Sequence, residues 1–257
     1  MTSDTAEAGR TTTDGNFMLR ERLKWQLFPG LNLHARLRFR LLPEHFQGPR
    51  NGDERLVLDA GCGNGMLSYQ SYLKGNRVTG VSIKEGEVAR NKVLFNDYLG
   101  IPEDRLTFAV HNLYEIQSLN RRFDEIICTE VLEHIERDQE VCRLFFEILK
   151  PGGVLHLCCP NADHTDNQSH LLDESESGGH VRAGYTFDSY KALLEPIGLG
   201  GPVRQFCNKQ ITRAQYLGRL PLGLLTFAIL APYAVFDTSS PKIPYSLYVI
   251  AKRPLHE

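Results

Sequence analysis

The sequence predicts an α/β protein built on a doubly wound, mostly parallel sheet. Short apolar runs with strand character alternate along the chain with helical patterns, and this order builds parallel sheets through right-handed crossovers. The first predicted strand also ends at a glycine-rich turn that opens a helix. In such sheets ligands lie beyond the carboxyl ends of the strands, so we expect the functional site at that edge.

The opening unit is a strand, a tight turn and a helix. A run of Leu and Val from Leu56 leads into a glycine-rich turn over residues 61–65. Met66–Leu73 then has the pattern of a helix, which Gly75 closes. Glycine is required where the backbone takes a positive φ or lies against a ligand, and the turn is therefore a candidate ligand contact.

Strands and helices continue to alternate after the opening unit. Pro and Gly residues mark most of the boundaries between them. The predicted elements are, in order, a strand over Arg77–Ile83, a helix over Glu85–Leu99, strands over Leu106–Val110 and Phe123–Thr129, a helix with Asp138 as its N-cap, a strand over Val154–Cys159, and a helix over Phe187–Pro196 capped by Thr186.

The glycine-rich turn is compared with three kinds of ligand loop. A phosphate loop of the Walker type would end in Gly-Lys-Ser or Gly-Lys-Thr, which this turn does not. A dinucleotide loop would place its third glycine where Met66 stands. Asp59 lies just ahead of the turn, and a carboxylate there disfavours phosphate and favours a cation. The turn therefore indicates a cationic ligand without phosphate.

Length, composition and charge are those of an ordinary globular protein. The 257 residues suit one large α/β domain with additions, and the net charge of -2 gives no electrostatic case for nucleic acid as a partner. The six cysteines show no metal-ligand spacing, so we expect reduced thiols in the core. No signal peptide is visible at the start of the sequence, and these features together predict a cytoplasmic protein.

Four strings in the sequence resemble one enzyme family. They are LDAGCGNG from residue 58, VTGVSI from residue 78, FDEIICTEVLEHI from residue 123 and LKPGGVLHLCCPN from residue 149. In order and spacing they resemble the class I S-adenosylmethionine-dependent methyltransferases, in the small-molecule branch that includes quinone-biosynthesis enzymes. The resemblance implies a Rossmann-like sheet of seven strands with the last one antiparallel. Residues 203–207 would form the sixth strand and residues 245–251 the seventh.

The resemblance assigns the methionine side of the cofactor by position. S-adenosylmethionine carries an ammonium and a sulfonium and has no phosphate. Asp59 would hold the ammonium through the loop or a water, while Thr129 and Glu130 follow the fourth strand beside the pocket. The turn residues placed against the methionine part are Gly61, Cys62 and Gly63.

The resemblance also assigns the nucleoside side. Ser82 and Ile83 end the second strand, where the family normally has an acidic side chain that accepts both ribose hydroxyls. A serine offers one hydroxyl in place of two acceptor oxygens, and Glu85 is either a substitute or a first-turn helix acid. Asn112 and Leu113 would flank the adenine.

Candidate catalytic groups follow the fourth strand. Methyl transfer requires alignment, exclusion of water and, for a hydroxyl acceptor, removal of a proton. Glu130, Glu133 and His134 could face the crevice, and histidine is the usual base near neutral pH. Bracing of the cofactor pocket, catalysis and metal binding are the three interpretations, in that order, and no metal site is predicted.

Candidate acceptor contacts lie in the polar loop over residues 161–185. A loop of this length in a compact domain is more often functional than idle, and it follows the fifth strand. His180 and Tyr185 are the candidates for acceptor contact and catalysis. The alternative for any histidine of this loop, including His180, is a solvated position on the surface.

The chain divides into three regions. We predict a disordered tail over 1–16, an N-terminal helical cap over 17–50 and a methyltransferase domain over 51–257. The domain contains two predicted lid segments, the polar loop 161–185 and an apolar insertion 209–240. Within the insertion, Leu220–Phe236 is too short and too often interrupted by Pro and Gly to span a membrane. We rank burial on the sheet first, a wall of a lipophilic acceptor pocket or a dimer face second, and docking on a membrane surface third.

These observations predict a methyltransferase that uses S-adenosylmethionine to methylate a small molecule. The expected acceptor is a hydroxyl of a secondary metabolite or lipophilic compound, with carbon or nitrogen as alternatives. A catalytically inactive cofactor-binding partner protein is a second class, and a nicotinamide-dependent reductase is a third. The sequence is compatible with a homodimer.

Overall fold

The structure is a computed structural model. It describes residues 19, 25, 42–49, 52–168, 172–173, 176, 178–200, 203–206 and 243–255. The predicted tail over 1–16 and the apolar insertion over 209–240 lie outside the described residues, as do most of the predicted N-terminal cap and part of the polar loop.

One sheet of seven strands organises these residues, in the order β3-β2-β1-β4-β5-β7-β6. β1 to β5 run parallel to one another, whereas β7 pairs antiparallel with both β5 and β6. The predicted fold class, including the antiparallel last strand, is confirmed. The strands are β1 (Leu56–Ala60), β2 (Arg77–Ser82), β3 (Leu106–Val110), β4 (Phe123–Thr129), β5 (Leu149–Pro160), β6 (Val203–Phe206) and β7 (Ser246–Lys252).

Helices connect β1 to β2, β2 to β3 and β4 to β5, and short 3₁₀ segments follow β3, β4 and the last helix. The α-helices are α1 (Leu42–His45), α2 (Met66–Leu73), α3 (Glu85–Asn91), α4 (Asp138–Ile148), α5 (Thr165–Gln168) and α6 (Phe187–Leu194). A π-helix over Lys92–Tyr98 continues α3, and 3₁₀ turns cover Leu113–Leu119, Leu132–His134 and Glu195–Ile197.

Among the sequence-based boundaries, the start of α4 and the start of β5 are wrong, and several other elements end one or more residues from their predicted ends. Asp138 is the first residue of α4, with Arg137 at the N-cap, and its carboxylate accepts hydrogen bonds from Tyr185 and Arg182. β5 begins at Leu149, five residues earlier than predicted, since Leu149 pairs with Phe123 before a register shift restores the ladder. By contrast, Thr186 caps α6 with a full capping box.

The sheet buries a separate apolar cluster on each of its faces. Neighbouring residues of one strand point to opposite faces, and Val57 belongs to one cluster while Leu58 belongs to the other. Trp25, Leu42 and Phe46 pack in the cluster that contains Val57. The described part of the N-terminal region therefore covers one face of the sheet.

The structure also bears on the predictions of reduced core thiols and of no membrane-spanning segment. The five described cysteines are free and buried, as predicted, and burial raises the pKa of the Cys62, Cys128, Cys142 and Cys159 thiols. Cys207 lies outside the described residues. Within the part of the chain that the structure covers, no helix combines the length and apolar character needed to cross a bilayer.

Candidate functional site

A cavity of about 290 Å³ opens at the carboxyl ends of β1 to β4. This is the edge at which ligands bind in doubly wound sheets. Part of the polar loop, including Glu176 and Gly178, closes its other side. The residues that line the cavity are Gly61, Gly63, Val81, Ser82, Ile83, Lys84, Glu87, His111, Asn112, Leu113, Tyr114, Glu130, Val131, His134, Ile135, Glu176 and Gly178.

The glycine turn after β1 forms the floor of the cavity. The Gly61 backbone N–H donates to the Val81 carbonyl at 2.9 Å, and its φ of 81° lies in the left-handed region. A Cβ on Gly61 would lie 2.3 Å from Val131, whereas a Cβ on Gly63 would meet no atom within 4 Å. Gly63 therefore leaves open space in the cavity, and this open space suits a ligand that lies against the backbone.

Asp59 lies behind this turn and does not line the cavity. Its side chain is buried, and the Ser68 hydroxyl donates to its Oδ2 at 2.5 Å. Burial raises the pKa of Asp59 from 3.8 to about 6, although the hydrogen bonds from Ser68 act in the opposite direction. Asp59 thus joins β1 to α2, and any effect on a ligand passes through the turn.

At the end of β2, two side chains form a hydrogen-bonded pair. The Ser82 hydroxyl donates to Glu87 Oε2 at 2.7 Å and accepts the Lys84 backbone N–H at 3.1 Å. All three residues line the cavity. Glu85, the substitute that the sequence suggested, is exposed and is not among the lining residues.

After β3, Asn112 begins the 3₁₀ turn that bounds the cavity. Its side-chain oxygen accepts the Tyr114 backbone N–H at 3.0 Å and caps this turn. Leu113 is buried beside it, and both residues line the cavity. The Asn112 carbonyl oxygen is therefore committed to local structure, and its amide N–H groups are the donors that it can offer to a ligand.

After β4, Glu130 and His134 line the cavity. Glu130 has a φ of 56°, a left-handed conformation that is uncommon outside glycine and is found in functional sites. The His134 Nδ1 lies 2.7 Å from the Gly179 carbonyl. Because a carbonyl can only accept, Nδ1 carries the proton, and in the neutral ring Nε2 is a proton acceptor.

His180 lies next to His134, with the rings perpendicular and their centroids 4.7 Å apart. The potential ligand atoms of Glu133, His134 and His180 all lie within 4.8 Å of one another. A carboxylate and two imidazoles are ligands that divalent transition metals accept. The expectation that the protein has no metal site stays a prediction.

The polar loop is fixed to α4 by a hydrogen-bonded group. Arg182 contacts the Asp138 carboxylate and the Leu132 carbonyl. Tyr185 is buried, and its hydroxyl donates to Asp138 Oδ2 at 2.6 Å. Burial, followed by the nearby Cys159 and Asp138, raises the pKa of Tyr185 well above its ordinary value. Tyr185 does not line the cavity.

The charges around the cavity are mostly negative. Among the described lining residues, Glu87, Glu130 and Glu176 supply carboxylates, whereas Lys84 supplies one ammonium group that is largely in solvent. Carboxylates in a concave site attract cations and disfavour phosphates. The structure therefore agrees with the cationic ligand that the sequence indicates.

A family model described as a methyltransferase domain matches residues 32–200, more than half of the chain. The chain belongs to this methyltransferase family. The resemblance found in the four sequence strings is therefore confirmed.

Individual relatives agree with this methyltransferase assignment. The ubiquinone biosynthesis O-methyltransferase of Chromobacterium violaceum is 36% identical over 99 residues, which cover 38% of this chain and 40% of that protein. The chain thus spans about two fifths of the length of this curated relative. Its name agrees with the predicted quinone-biosynthesis-like branch.

Solved structures establish the same fold. An S-adenosylmethionine-dependent methyltransferase from Mesorhizobium loti has a TM-score of 0.57 at 17% identity, covering 86% of this chain and all of that one (100%). Magnesium protoporphyrin IX methyltransferase from Synechocystis PCC 6803, solved with bound S-adenosylhomocysteine, has a TM-score of 0.53 at 17% identity and covers 95% of this chain and 90% of that one.

The methyltransferase cavity collects most, but not all, of the predicted site residues. Cys62, Thr129 and Asp59 are buried next to the cavity without lining it. His180 and Tyr185 do not line it either. The predicted residues in the lining are Gly61, Gly63, Ser82, Ile83, Asn112, Leu113, Glu130 and His134.

Glu87 and Glu176 line the methyltransferase cavity but were not predicted. Glu87 could have been found as one of two acids in the first turn of α3, although the sequence does not show which one faces the ligand. Glu176 belongs to a loop without periodicity and gave no local signal. Its carboxylate contacts the Tyr114 hydroxyl and the Glu136 backbone N–H.

Proposed function

We propose that this chain is an S-adenosylmethionine-dependent methyltransferase that methylates a hydroxyl group of a small molecule. This proposal rests on the cavity beyond β1 to β4, whose lining combines an open glycine turn with the three carboxylates of Glu87, Glu130 and Glu176. This combination suits a donor that is cationic and has no phosphate. S-adenosylmethionine supplies an activated methyl group on a positively charged sulfur.

The residues of the glycine turn would hold the methionine part of the donor. Gly63 has open space beside its backbone, and Gly61 lines the same wall of the cavity. Glu130 extends from the end of β4 into the lining, where a carboxylate can attract the ammonium group. Asp59 supports the turn through Ser68 and α2.

The residues after β2 and β3 would hold the nucleoside. Ile83 is 67% exposed although it is apolar, and it lines the cavity together with Leu113. Two aliphatic side chains at this position can pack against the faces of an adenine ring. The Asn112 side-chain N–H groups can donate to the ring nitrogens.

His134 would remove the proton from the acceptor hydroxyl. Its Nδ1 is hydrogen-bonded to the Gly179 carbonyl, which fixes the ring and leaves Nε2 as the basic nitrogen. When the acceptor oxygen bonds to the methyl carbon, the carbon–sulfur bond breaks and the hydroxyl proton passes to Nε2. His180 lies edge-on against His134 and would orient it. Tyr185 would position the loop through Asp138.

The names of the relatives and the sequence support the proposed acceptor class. The curated relatives are named ubiquinone biosynthesis O-methyltransferases, and we extend oxygen methylation of a lipophilic phenol to this chain. The apolar sequence of residues 220–236 also favours a lipophilic acceptor. Docking on a membrane surface ranks below a lipophilic acceptor pocket, and a nucleic-acid partner is not proposed. A homodimer is compatible with the sequence. The proposed location is the cytoplasm.

Mass spectrometry with a methyl-labelled donor tests this function. Two matched ortho-diphenols, one with an isoprenoid tail and one without, should both be offered to the protein. We expect label on oxygen, with faster transfer to the tailed phenol. Label on carbon or nitrogen would support the alternative methyltransferases. Binding of S-adenosylhomocysteine without transfer to any acceptor would support an inactive partner protein and contradict the proposal.

A further inference from the structure

The end of β2 lacks an acidic side chain at the position where the resemblance leads us to expect the ribose contact. Ser82 stands there, and its single hydroxyl proton is already donated to Glu87 Oε2 at 2.7 Å. One lone pair of the same oxygen is taken by the Lys84 backbone N–H at 3.1 Å. Ser82 therefore has little capacity left for two ribose hydroxyls.

Glu87 supplies the missing acceptor oxygens from the neighbouring helix. It lies in the first turn of α3, lines the cavity, and keeps 27% of its side chain exposed. An ionised carboxylate offers about four lone-pair positions on two oxygens, and Ser82 uses one of them. The Lys84 Nζ lies 4.0 Å from Oε1 and is 66% exposed, so it competes weakly.

The backbone places this carboxylate on the nucleoside side of the glycine turn. The Gly61 and Cys62 N–H groups donate to the Val81 carbonyl at 2.9 and 2.8 Å, and Ser82 is the next residue along β2. The Ser82 carbonyl in turn accepts the His111 N–H at 3.0 Å, which connects the same point to β3. Through its hydrogen bond with Ser82, Glu87 is therefore anchored at the point of β2 to which the turn and the end of β3 are both bonded.

We propose that Glu87 binds the ribose hydroxyls of the donor and that Ser82 is the residue that positions it. The inference rests on the proposed function, and it moves the nucleoside-binding carboxylate from the strand end to the helix. A first-turn acid can also stabilise a helix through its dipole. Glu85 lies in the same first turn of α3 but is exposed and is not among the cavity lining residues. A variant of Glu85 therefore tests the effect on the helix without the effect on ribose binding.

Calorimetry with S-adenosylhomocysteine tests the binding role of Glu87. Each new hydroxyl–carboxylate bond belongs to the charge-assisted class, so Glu87→Gln should weaken binding by about 10- to 100-fold. Glu85→Gln removes the same charge from the same helix turn and should change the dissociation constant by less than about twofold. Equal binding by Glu87→Gln and the unmodified protein would overturn the inference.

An analogue with 2′-deoxyribose gives a readout that does not depend on the fold of a variant. The unmodified protein should bind this analogue about 10-fold less tightly than S-adenosylhomocysteine, and Glu87→Gln should bind the two ligands equally. Undiminished discrimination in Glu87→Gln would place the ribose contact elsewhere and contradict the inference.

A double-mutant cycle tests the positioning role of Ser82. Ser82→Ala should weaken binding in the unmodified background and have no further effect in Glu87→Gln, since its contribution passes through Glu87. Ser82→Asp should restore binding in Glu87→Gln by returning the carboxylate to the strand end. Additive losses would overturn the positioning role. If the unmodified protein binds no S-adenosylhomocysteine, the proposed function fails as well.

Discussion

The Ser68 hydroxyl donates a hydrogen bond to the Asp59 carboxylate across 2.5 Å, and both side chains are buried. This contact joins the end of β1 to α2 directly behind the glycine turn. Burial nevertheless dominates, and the pKa of Asp59 rises from 3.8 to about 6. The glycine turn is therefore supported by a carboxyl group whose ionised form is disfavoured by burial.

This raised pKa predicts a loss of stability as the pH rises. Between pH 4 and 6 the folded state binds the Asp59 proton more tightly than the unfolded state, so the free energy of unfolding falls with pH. The total contribution is about 3 kcal/mol, from the difference between 3.8 and about 6.

Urea unfolding of Asp59→Asn between pH 4 and 7 measures this effect. The variant should lose that part of the pH dependence because asparagine does not ionise. Asp53→Asn, at an exposed position just before β1, is the matched control and should keep the dependence of the unmodified protein. The same slope in Asp59→Asn and the unmodified protein would contradict the account.

Gly63→Ala should separate the cost of backbone conformation from the cost of filling the cavity. Gly63 and Gly52 both have positive φ, at 51° and 81°, and neither would bring a Cβ within 4 Å of another atom. Both alanine variants should lose about 1–2 kcal/mol of stability. Only Gly63→Ala should also weaken the binding of S-adenosylhomocysteine, by roughly tenfold or more. A loss of about 1.4 kcal/mol in contact energy corresponds to a tenfold loss of affinity. Equal binding by the two variants would remove Gly63 from the site.

His134→Gln tests the proton acceptor. We expect kcat to fall by about 10²- to 10⁴-fold, the range for loss of a general base, while the dissociation constant of S-adenosylhomocysteine changes little. His111→Gln, at the nucleoside side of the cavity, is the matched control and should not lower kcat in this way. A His134→Gln enzyme with unchanged kcat would contradict the assignment.

Tyr185→Phe tests whether the buried tyrosine acts on the loop or on the acceptor. The variant loses the hydrogen bond to Asp138 and should be less stable by about 1–2 kcal/mol. In a cycle with Asp138→Asn the two losses should not add, because the residues are in direct contact. We expect kcat within about threefold of the unmodified enzyme, against the 10²-fold or greater loss that marks a catalytic acid or base. A large fall in kcat with stability intact would return Tyr185 to the catalytic groups.

Local pattern was sufficient for the parallel core. The bounds of β1, β3, β4 and α2 follow from apolar runs that end at Gly or polar residues, and the structure reproduces them. Pattern was not sufficient at β5, where residues 150–153 read as a turn but belong to the strand. The start of β5 is set by its pairing with β4. This pairing joins residues that are far apart in the sequence, so a local pattern does not reveal it.

The site divides in the same way. The sequence singled out Gly61 and Gly63 because a backbone that contacts a ligand restricts the residue type, and both line the cavity. The sequence pointed to Glu85, whereas Glu87 lines the cavity, and the choice depends on how α3 is rotated against β2. Tyr185 was assigned to the acceptor because its loop follows β5, yet its hydroxyl bonds to Asp138, a partner 47 residues away in the sequence.

Calorimetric titration of the unmodified protein with S-adenosylhomocysteine, and separately with NAD, tests the central claim most directly. We expect one molecule of S-adenosylhomocysteine to bind per chain, with no measurable heat from NAD, because the charged groups of the described cavity lining are mostly carboxylates, which disfavour phosphates. Gly63→Ala should reduce the affinity and Gly52→Ala should not. Binding of NAD in place of S-adenosylhomocysteine, or binding that is insensitive to Gly63→Ala, would contradict the assignment of this cavity to the methyl donor.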